Sequence, residues 1–317
     1  MARFAMPFVG SLSLAQATEL PQLDLESHPL AGRAFDLRRG VESSPRDVLD
    51  RAAGARIVLL GETHDNPVHH ELQARVLAGM AARGRQPRVA WEMIDASQAD
   101  ALAACLAECR DWPRELPAAI DWAETGWPDW SLYRPIANVA AQHELDMVAA
   151  NLSSQELRLL AGPPSEAATQ LSDALGIAKS LSAPVREGLT EALTESHCGL
   201  PIPPERLEAM IRVQRGRDRR MRDALLAPPP PDGGVLIAGR GHARLDWGVG
   251  MDLATELGPN ELLSIGFVEV DAECRTFDAC LESAAMPRGT APWDIVWFTP
   301  RAEREDPCEQ LLRRGRV

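Results

Sequence analysis

The chain has 317 residues, 45% hydrophobic and 25% charged, which is ordinary for a globular protein and ample for a packed core. Its net charge of −13 argues against non-specific nucleic-acid binding, which needs Lys and Arg facing phosphates. No apolar run approaches the roughly 20 residues that cross a bilayer, so no transmembrane segment is expected.

In chain order, Arg3 precedes an apolar stretch from Phe4 to Leu14, and Ala15-Gln16-Ala17 has the small-x-small form of a cleavage site. Residues 1–17 are therefore read as a signal peptide, with the mature protein in the periplasm or cell envelope and the cytoplasm as alternative. No cysteine follows that stretch to accept a lipid. Residues 45–53 read as a helix, and 56–60 as a strand. Asn66-Pro67 then supplies a helix start, Asn as cap and Pro at the first helical position, for a helix reaching about Arg83. Strand 88–92 completes a strand–helix–strand unit, which implies parallel pairing.

Residues 97–142 read as helices broken by Pro113, Pro117, Pro128 and Pro135. Trp91, Trp112, Trp122, Trp127 and Trp130 fall between 91 and 133 with Tyr133, the one tyrosine of the chain. Strand 146–150 follows, then a helical stretch from 154 to 225 that reads as a cap over the sheet. A stiff connector, 228–234, leads to strand 235–238, a helix near 249–257, strand 262–270 and a last strand near 294–298. The expected fold is α/β, a mostly parallel sheet flanked by helices with helical insertions at about 97–142 and 154–225. One domain spans 30–300, and 301–317 is a charged tail. The six cysteines have no zinc-ribbon spacing and suit structural disulfides or buried thiols.

Four strands end in reactive side chains: Gly61-Glu62-Thr63-His64, Glu92, Asn151, and Gly239-Arg240-Gly241-His242. In a parallel sheet these carboxyl ends share one edge, where ligands bind. His69 and His70 lie in the first helical turn, where the cationic form is disfavoured, and one partly buried and one exposed ring is expected. His64 or Asp65 would alternatively cap the helix, and Asn151 reads as a helix cap as readily as a site residue. The second Gly-x-x-His lacks the remaining features of a dinucleotide or phosphate loop. Met210, Gln214, Asp218 and Met221 share one helical face amid arginines, suggesting a face that meets a polar cavity.

These motifs resemble the ChaN-like proteins. Leu59-Leu60-Gly61-Glu62-Thr63-His64-Asp65-Asn66, His69-His70, Trp91-Glu92-Met93, Trp127, Tyr133-Arg134-Pro135 and Ala149-Ala150-Asn151 carry the likeness. So do His197-Cys198-Gly199, Gln214, Arg217-Asp218, Met221 and Gly239-Arg240-Gly241-His242-Ala243. The resemblance implies a haem-binding protein of bacterial haem and iron uptake, in a superfamily with Tiki metalloproteases and relatives of erythromycin esterase. It implies a pocket formed by Glu62, His64, His70, Glu92, Asn151, Gln214, Asp218 and His242. It also implies an axial tyrosine, necessarily Tyr133, or a histidine, with a homodimer as the associated partner state.

From the residues alone an alternative stands: a metal-dependent hydrolase. Glu62, His64, Glu92 and His242 would hold a divalent metal, Zn or Mn, with Glu62 or Glu92 as general base.

Overall fold

The sheet is built from unbroken apolar runs. Every residue of β4 (Ile57–Glu62) and of β7 (Gly234–Gly239) is buried, as parallel strands covered on both faces require. The computed structural model describes residues 21–226, 228, 232–258, 260–283, 291–306, 308 and 309. The expected signal peptide and the end of the charged tail lie outside the described residues.

The remaining strands are β1 (Leu23–Asp24), β2 (Ala34–Asp36), β3 (Val41–Ser43), β5 (Arg88–Asp95), β6 (Met147–Asn151), β8 (Leu262–Glu269), β9 (Ile295–Thr299) and β10 (Arg301–Ala302). Eight of them form one sheet in the order β3-β2-β9-β8-β4-β7-β5-β6. The pairings β2–β3 and β2–β9 are antiparallel and the others parallel, so the mostly parallel α/β sheet expected from the sequence is present. The antiparallel edge was not anticipated, because three-residue strands are too short to show a period. Strand β7 lies between β4 and β5, although the chain makes those two first. That insertion places Gly239 between Glu62 and Glu92.

The helices are α1 (Pro45–Gly54), α2 (Pro67–Ala81), α3 (Ala99–Glu108), α4 (Trp112–Ala119), α5 (Trp130–Gln142), α6 (Ser154–Ala161), α7 (Glu166–Ala174), α8 (Ala183–Glu195), α9 (Pro204–Leu226), α10 (Val249–Leu253) and α11 (Phe277–Ser283). Side chains of β4 alternate between two cores. Val58 and Leu60 join one core with Leu77, Met80 and Ile136, while Ile57 and Leu59 join the other with Met221, Leu225 and Val249. Two smaller clusters lie in the cap, one around Leu160 and Leu175, the other joining Leu189, Ile211 and Trp247.

Two prolines expected to break helices sit inside them instead, Pro117 in α4 and Pro135 in α5. Pro117 has no N–H for the carbonyl four residues earlier. That carbonyl, Pro113 O, is satisfied by the Trp130 indole N–H at 2.7 Å. The cysteines form three disulfides: Cys105–Cys109, Cys198–Cys308 and Cys274–Cys280. The start of the charged tail is fastened, since β10 pairs with β1 and Cys308 is bonded to the turn after α8.

Candidate functional site

The strand ends and two helices bring imidazoles and carboxylates together in strict alternation. Glu62, at the end of β4, places Oε2 3.0 Å from His70 Nε2 and Oε1 2.8 Å from His64 Nδ1. The His70 approach lies off the line of a hydrogen bond, since neither atom has a hydrogen-bond partner. His64 Nε2 then stands 3.9 Å from Glu92 Oε2, whose other oxygen is 3.3 Å from His242 Nε2. His242 Nδ1 donates to Asp218 Oδ1 at 2.6 Å, and the Gln214 amide lies 3.0 Å from the same nitrogen. The order is His70, Glu62, His64, Glu92, His242, Asp218. All of these except His64 are buried.

Glycine makes this packing feasible at two points. A Cβ on Gly239 would lie 2.9 Å from His64 Nε2 and 3.5 Å from Glu92 Oε2, so His64 and Glu92 meet over its bare backbone. The Gly239 N–H also donates to Glu92 Oε2 at 2.6 Å. A Cβ on Gly61 would sit 2.7 Å from the Arg240 Cα, so this glycine lets the two turns touch.

The electrostatics follow from burial set against pairing. Burial opposes ionisation of Glu62, but His70 and His64 hold it well below the ordinary carboxylate value. Burial likewise opposes Glu92, and His242 brings it down to about 2. His242 resists charge through burial, yet Glu92 and Asp218 raise it to about 10. Burial pushes Asp218 up to about 6, held back by His242. His64 is raised by Glu62 and Glu92 against burial. At neutral pH His242 is therefore a cation held against ionised Glu92, and His64 is the accessible point of the line.

Several expectations are resolved by placement. His64 does not cap α2, because Asn66 does so, accepting from Val68 and His69 N–H. His69 and His70 are both fully buried, contrary to the expected division. His69 accepts from the Thr63 N–H at 2.8 Å and pairs with Thr299 Oγ1 at 2.8 Å, and burial lowers it to about 3, so it is neutral and structural. Asn151 is no helix cap, since Ser153 caps α6. Its amide donates to the Glu92 carbonyl at 2.9 Å, and it thereby positions Glu92. His197 bonds the Leu193 carbonyl within a turn whose Cys198 is in a disulfide.

Tyr133 is fully buried in an aromatic nest with Trp91, Trp122 and Trp130. Its ring lies 4.4 Å from His70, and its hydroxyl donates to the His64 carbonyl at 3.4 Å. Burial and the nearby Glu62 raise its pKa. It lines neither cavity above the sheet edge.

Over His64 opens the larger of these, a cavity of about 680 Å³, within the range of small-molecule sites. Its floor is His64, Glu92 and His242, and α8 with Gln214 and Arg217 of α9 covers it. Trp127, Trp247 and Trp293 stand in its walls, with Trp127 4.8 Å from the His64 ring. Trp247 and Trp293 were missed by sequence reading, because each is isolated from the motifs. The polar α9 face is met as expected: Gln214 lines the cavity, and Asp218 lies behind His242. A second cavity of about 450 Å³ adjoins this one and shares Glu92, Trp127 and Arg217.

The divalent-metal alternative finds no support. Among the described residues no group of three or more His, Cys, Asp or Glu side chains has the arrangement of a metal site. Glu62, His64, Glu92 and His242 are strung in a line and spend their donor atoms on one another, rather than converging on a point. The fit to haem differs. His64 Nδ1 is held by Glu62, as a carboxylate holds a metal-ligating histidine, while Nε2 lies over the Gly239 backbone near Glu92 at the cavity floor and the ring is 31% exposed. The Arg217 Nε is buried without a partner beside the same cavity.

Among solved structures, the chain is similar to ChaN of Campylobacter jejuni, described with cofacial haem binding, at 20% identity and a TM-score of 0.64, over 83% of this chain and 95% of that one. It is also similar to the type III effector HopBA1, at 13% identity and a TM-score of 0.44, over 80% of this chain and 91% of that one. Erythromycin esterase EreC, a mutant in its open conformation, has 17% identity and a TM-score of 0.43, over 84% and 81%. The first of these likenesses shows the fold. No curated protein matches the chain. The family described as haem-binding uptake, Tiki superfamily, ChaN matches residues 48–253, and the chain belongs to that family.

Proposed function

We propose that the chain binds haem in the cavity over the carboxyl edge of the sheet, with His64 Nε2 as the residue that holds the iron, as part of haem and iron uptake. The observation that carries this reading is an accessible imidazole, oriented by a buried carboxylate, opening into a tryptophan-walled cavity. Haem bound there would supply a ferric centre; the protein's part is to orient His64 through Glu62 and to shield the ring behind Trp127 and α8. Tyr133 supports the His64 backbone from below, because its hydroxyl faces that carbonyl and not the cavity. His70 holds Glu62, Asn151 holds Glu92, and Gln214 with Asp218 holds His242.

Pairing of all six cysteines supports folding in an oxidising compartment, which accords with an envelope location. None of the described helices is long and apolar enough to cross a membrane. Titration of the full chain with haemin, followed at the Soret band, tests the reading. The expected result is a saturable shift that His64→Ala abolishes and Tyr133→Phe retains. Absence of any shift in the unaltered protein overturns it, and loss on Tyr133→Phe alone moves the ligand to the tyrosine. Size-exclusion chromatography of the loaded protein reports whether a second copy of the chain takes part, as in the expected homodimer.

A further inference from the structure

The helix that roofs the large cavity is loosely held. Helices α5 and α8 are both 13 residues long, yet α5 buries six of them and α8 buries Leu189 alone. Leu189 packs with Ile211 of α9 and Trp247 in a small cluster apart from the two main cores. The ion pair of Arg186 with Glu208 joins α8 to α9 at the exposed surface, where such pairs contribute little. A helix with so little buried apolar surface opens locally at a smaller free energy than the sheet beneath it. Leu189, Ala192, Glu195 and Ser196 line the cavity, so lifting this helix uncovers the floor of His64, Glu92 and His242.

A covalent tie compensates. Cys198, just beyond Ser196, is bonded to Cys308. The tail that carries Cys308 is itself anchored to the body, since β10 pairs with β1 and the Glu303 N–H donates to the Gln22 carbonyl at 2.8 Å. The turn after α8 is thereby fixed to a strand pair outside the cap. The other disulfides have no such reach: Cys105–Cys109 and Cys274–Cys280 have sequence separations of 4 and 6, against 110 for Cys198–Cys308. Accessibility separates them too. Cys105, Cys274 and Cys280 are buried, while Cys198 and Cys308 are both half-buried. A dithiol can thus reach this bond in the folded chain, which attack on a sulfur requires.

We propose that Cys198–Cys308 is a redox-sensitive lock on α8: intact, it holds the helix over the cavity, and its reduction lets the helix lift and the cavity exchange its contents. The reductant is a dithiol. One of its thiolates attacks one sulfur of the pair, the S–S bond breaks, and the bonding electrons leave with the other sulfur, which takes a proton. The second thiol of the reductant then displaces the first sulfur, which likewise leaves as a thiol. Two cysteine thiols and the oxidised dithiol result. The lock concerns the roof and holds for any occupant; only its ligand-release arm rests on the haem reading.

The full chain, with and without haemin, is treated with graded dithiothreitol. Alkylation of the freed thiols and peptide mass analysis report which bonds open, and hydrogen exchange reports each backbone segment. Cys198–Cys308 is expected to open while the chain stays folded, and exchange within 183–195 to accelerate about tenfold or more, within what a long-loop disulfide contributes. Exchange in β4 and β7 is expected to stay as it was. Haemin loss to an excess of apomyoglobin accelerates with the helix. Cys198→Ser/Cys308→Ser reproduces both effects without reductant, whereas Cys274→Ser/Cys280→Ser leaves them dependent on it. The reduced unaltered chain gives the same measurement if the variants fold poorly. Unchanged exchange in α8 once that bond is open, acceleration shared by the whole sheet, or persistence of the bond until the chain unfolds overturns the lock. Accelerated α8 exchange in a chain that binds no haemin sustains it and removes the haem reading; haemin binding with α8 unaffected does the reverse.

Discussion

The two Gly-x-x-His turns share a spacing and differ in the residue next to their first glycine. Beside Gly61 stands Glu62, a strand residue whose buried carboxylate holds His64 by one nitrogen and leaves the imidazole 31% exposed. Beside Gly239 stands Arg240, whose side chain turns to the cavity, and His242 is gripped from both nitrogens and only 8% exposed. One turn thus presents an imidazole, and the other spends its imidazole tying two carboxylates together. Identical spacing does not mean identical roles, because the carboxylates contributed by neighbouring elements decide which ring stays open.

The largest expected effect of breaking that contrast falls on His242. His242→Ala leaves Glu92 and Asp218 buried without their cation and is expected to cost about 3–5 kcal/mol in urea unfolding at neutral pH. The comparable His64→Ala should cost less than about 1 kcal/mol, because its ring is partly solvated. The His242 contribution has a defined pH window. Its folded pKa, about 10, lies above the ordinary value of 6.5, so the stabilisation is whole below 6.5 and is lost as pH rises through 10. Stability that stays level between those limits would remove the paired-charge account.

Next come the glycines. Gly61→Ala puts a methyl group against the Arg240 backbone and should cost about 1–3 kcal/mol. Gly239→Ala meets the tip of the His64 ring instead, so a smaller stability loss with an altered haemin spectrum is expected. The third effect concerns protons. Glu62 and Glu92 raise the His64 pKa, and a ring that holds iron must shed its Nε2 proton. Haemin affinity should therefore strengthen as pH rises from acid toward that raised pKa, then level off; weakening over that range contradicts ligation by His64. The smallest effect is Tyr133→Phe, which removes one long hydrogen bond and should cost about 0.5–1.5 kcal/mol in unfolding.

Much of the site was legible because its residues directly follow apolar strand runs, and a parallel sheet gathers such ends whatever their separation in sequence. Glu62, His64, Glu92 and His242 came from that rule alone. Gln214 and Asp218 were readable as polar residues within an apolar helical stripe. The wall residues were not: Trp247 and Trp293 are brought in by loops, and Arg217 is distinguishable from its neighbouring arginines only once their partners are known. Tyr133 shows the converse. Its place in an aromatic-rich segment suits a ligand or a core equally, and only packing separates the two. The line of alternating acid and imidazole could not be read either, since residue types give membership and not order.

Arg304 draws a last consequence from the fastened tail. Its guanidinium binds Asp65 at 2.7 and 2.8 Å and Glu269 at 2.6 and 2.7 Å. Glu269 also accepts from Asn66, the cap of α2, at 2.7 Å. The residue after His64 and the adjoining cap are thus latched from the far end of the chain. Arg304→Ala would loosen the loop that aims the His64 ring while leaving the side chains of the large cavity and the Cys198–Cys308 bond in place. Spectra of that variant would then report the latch and not the pocket.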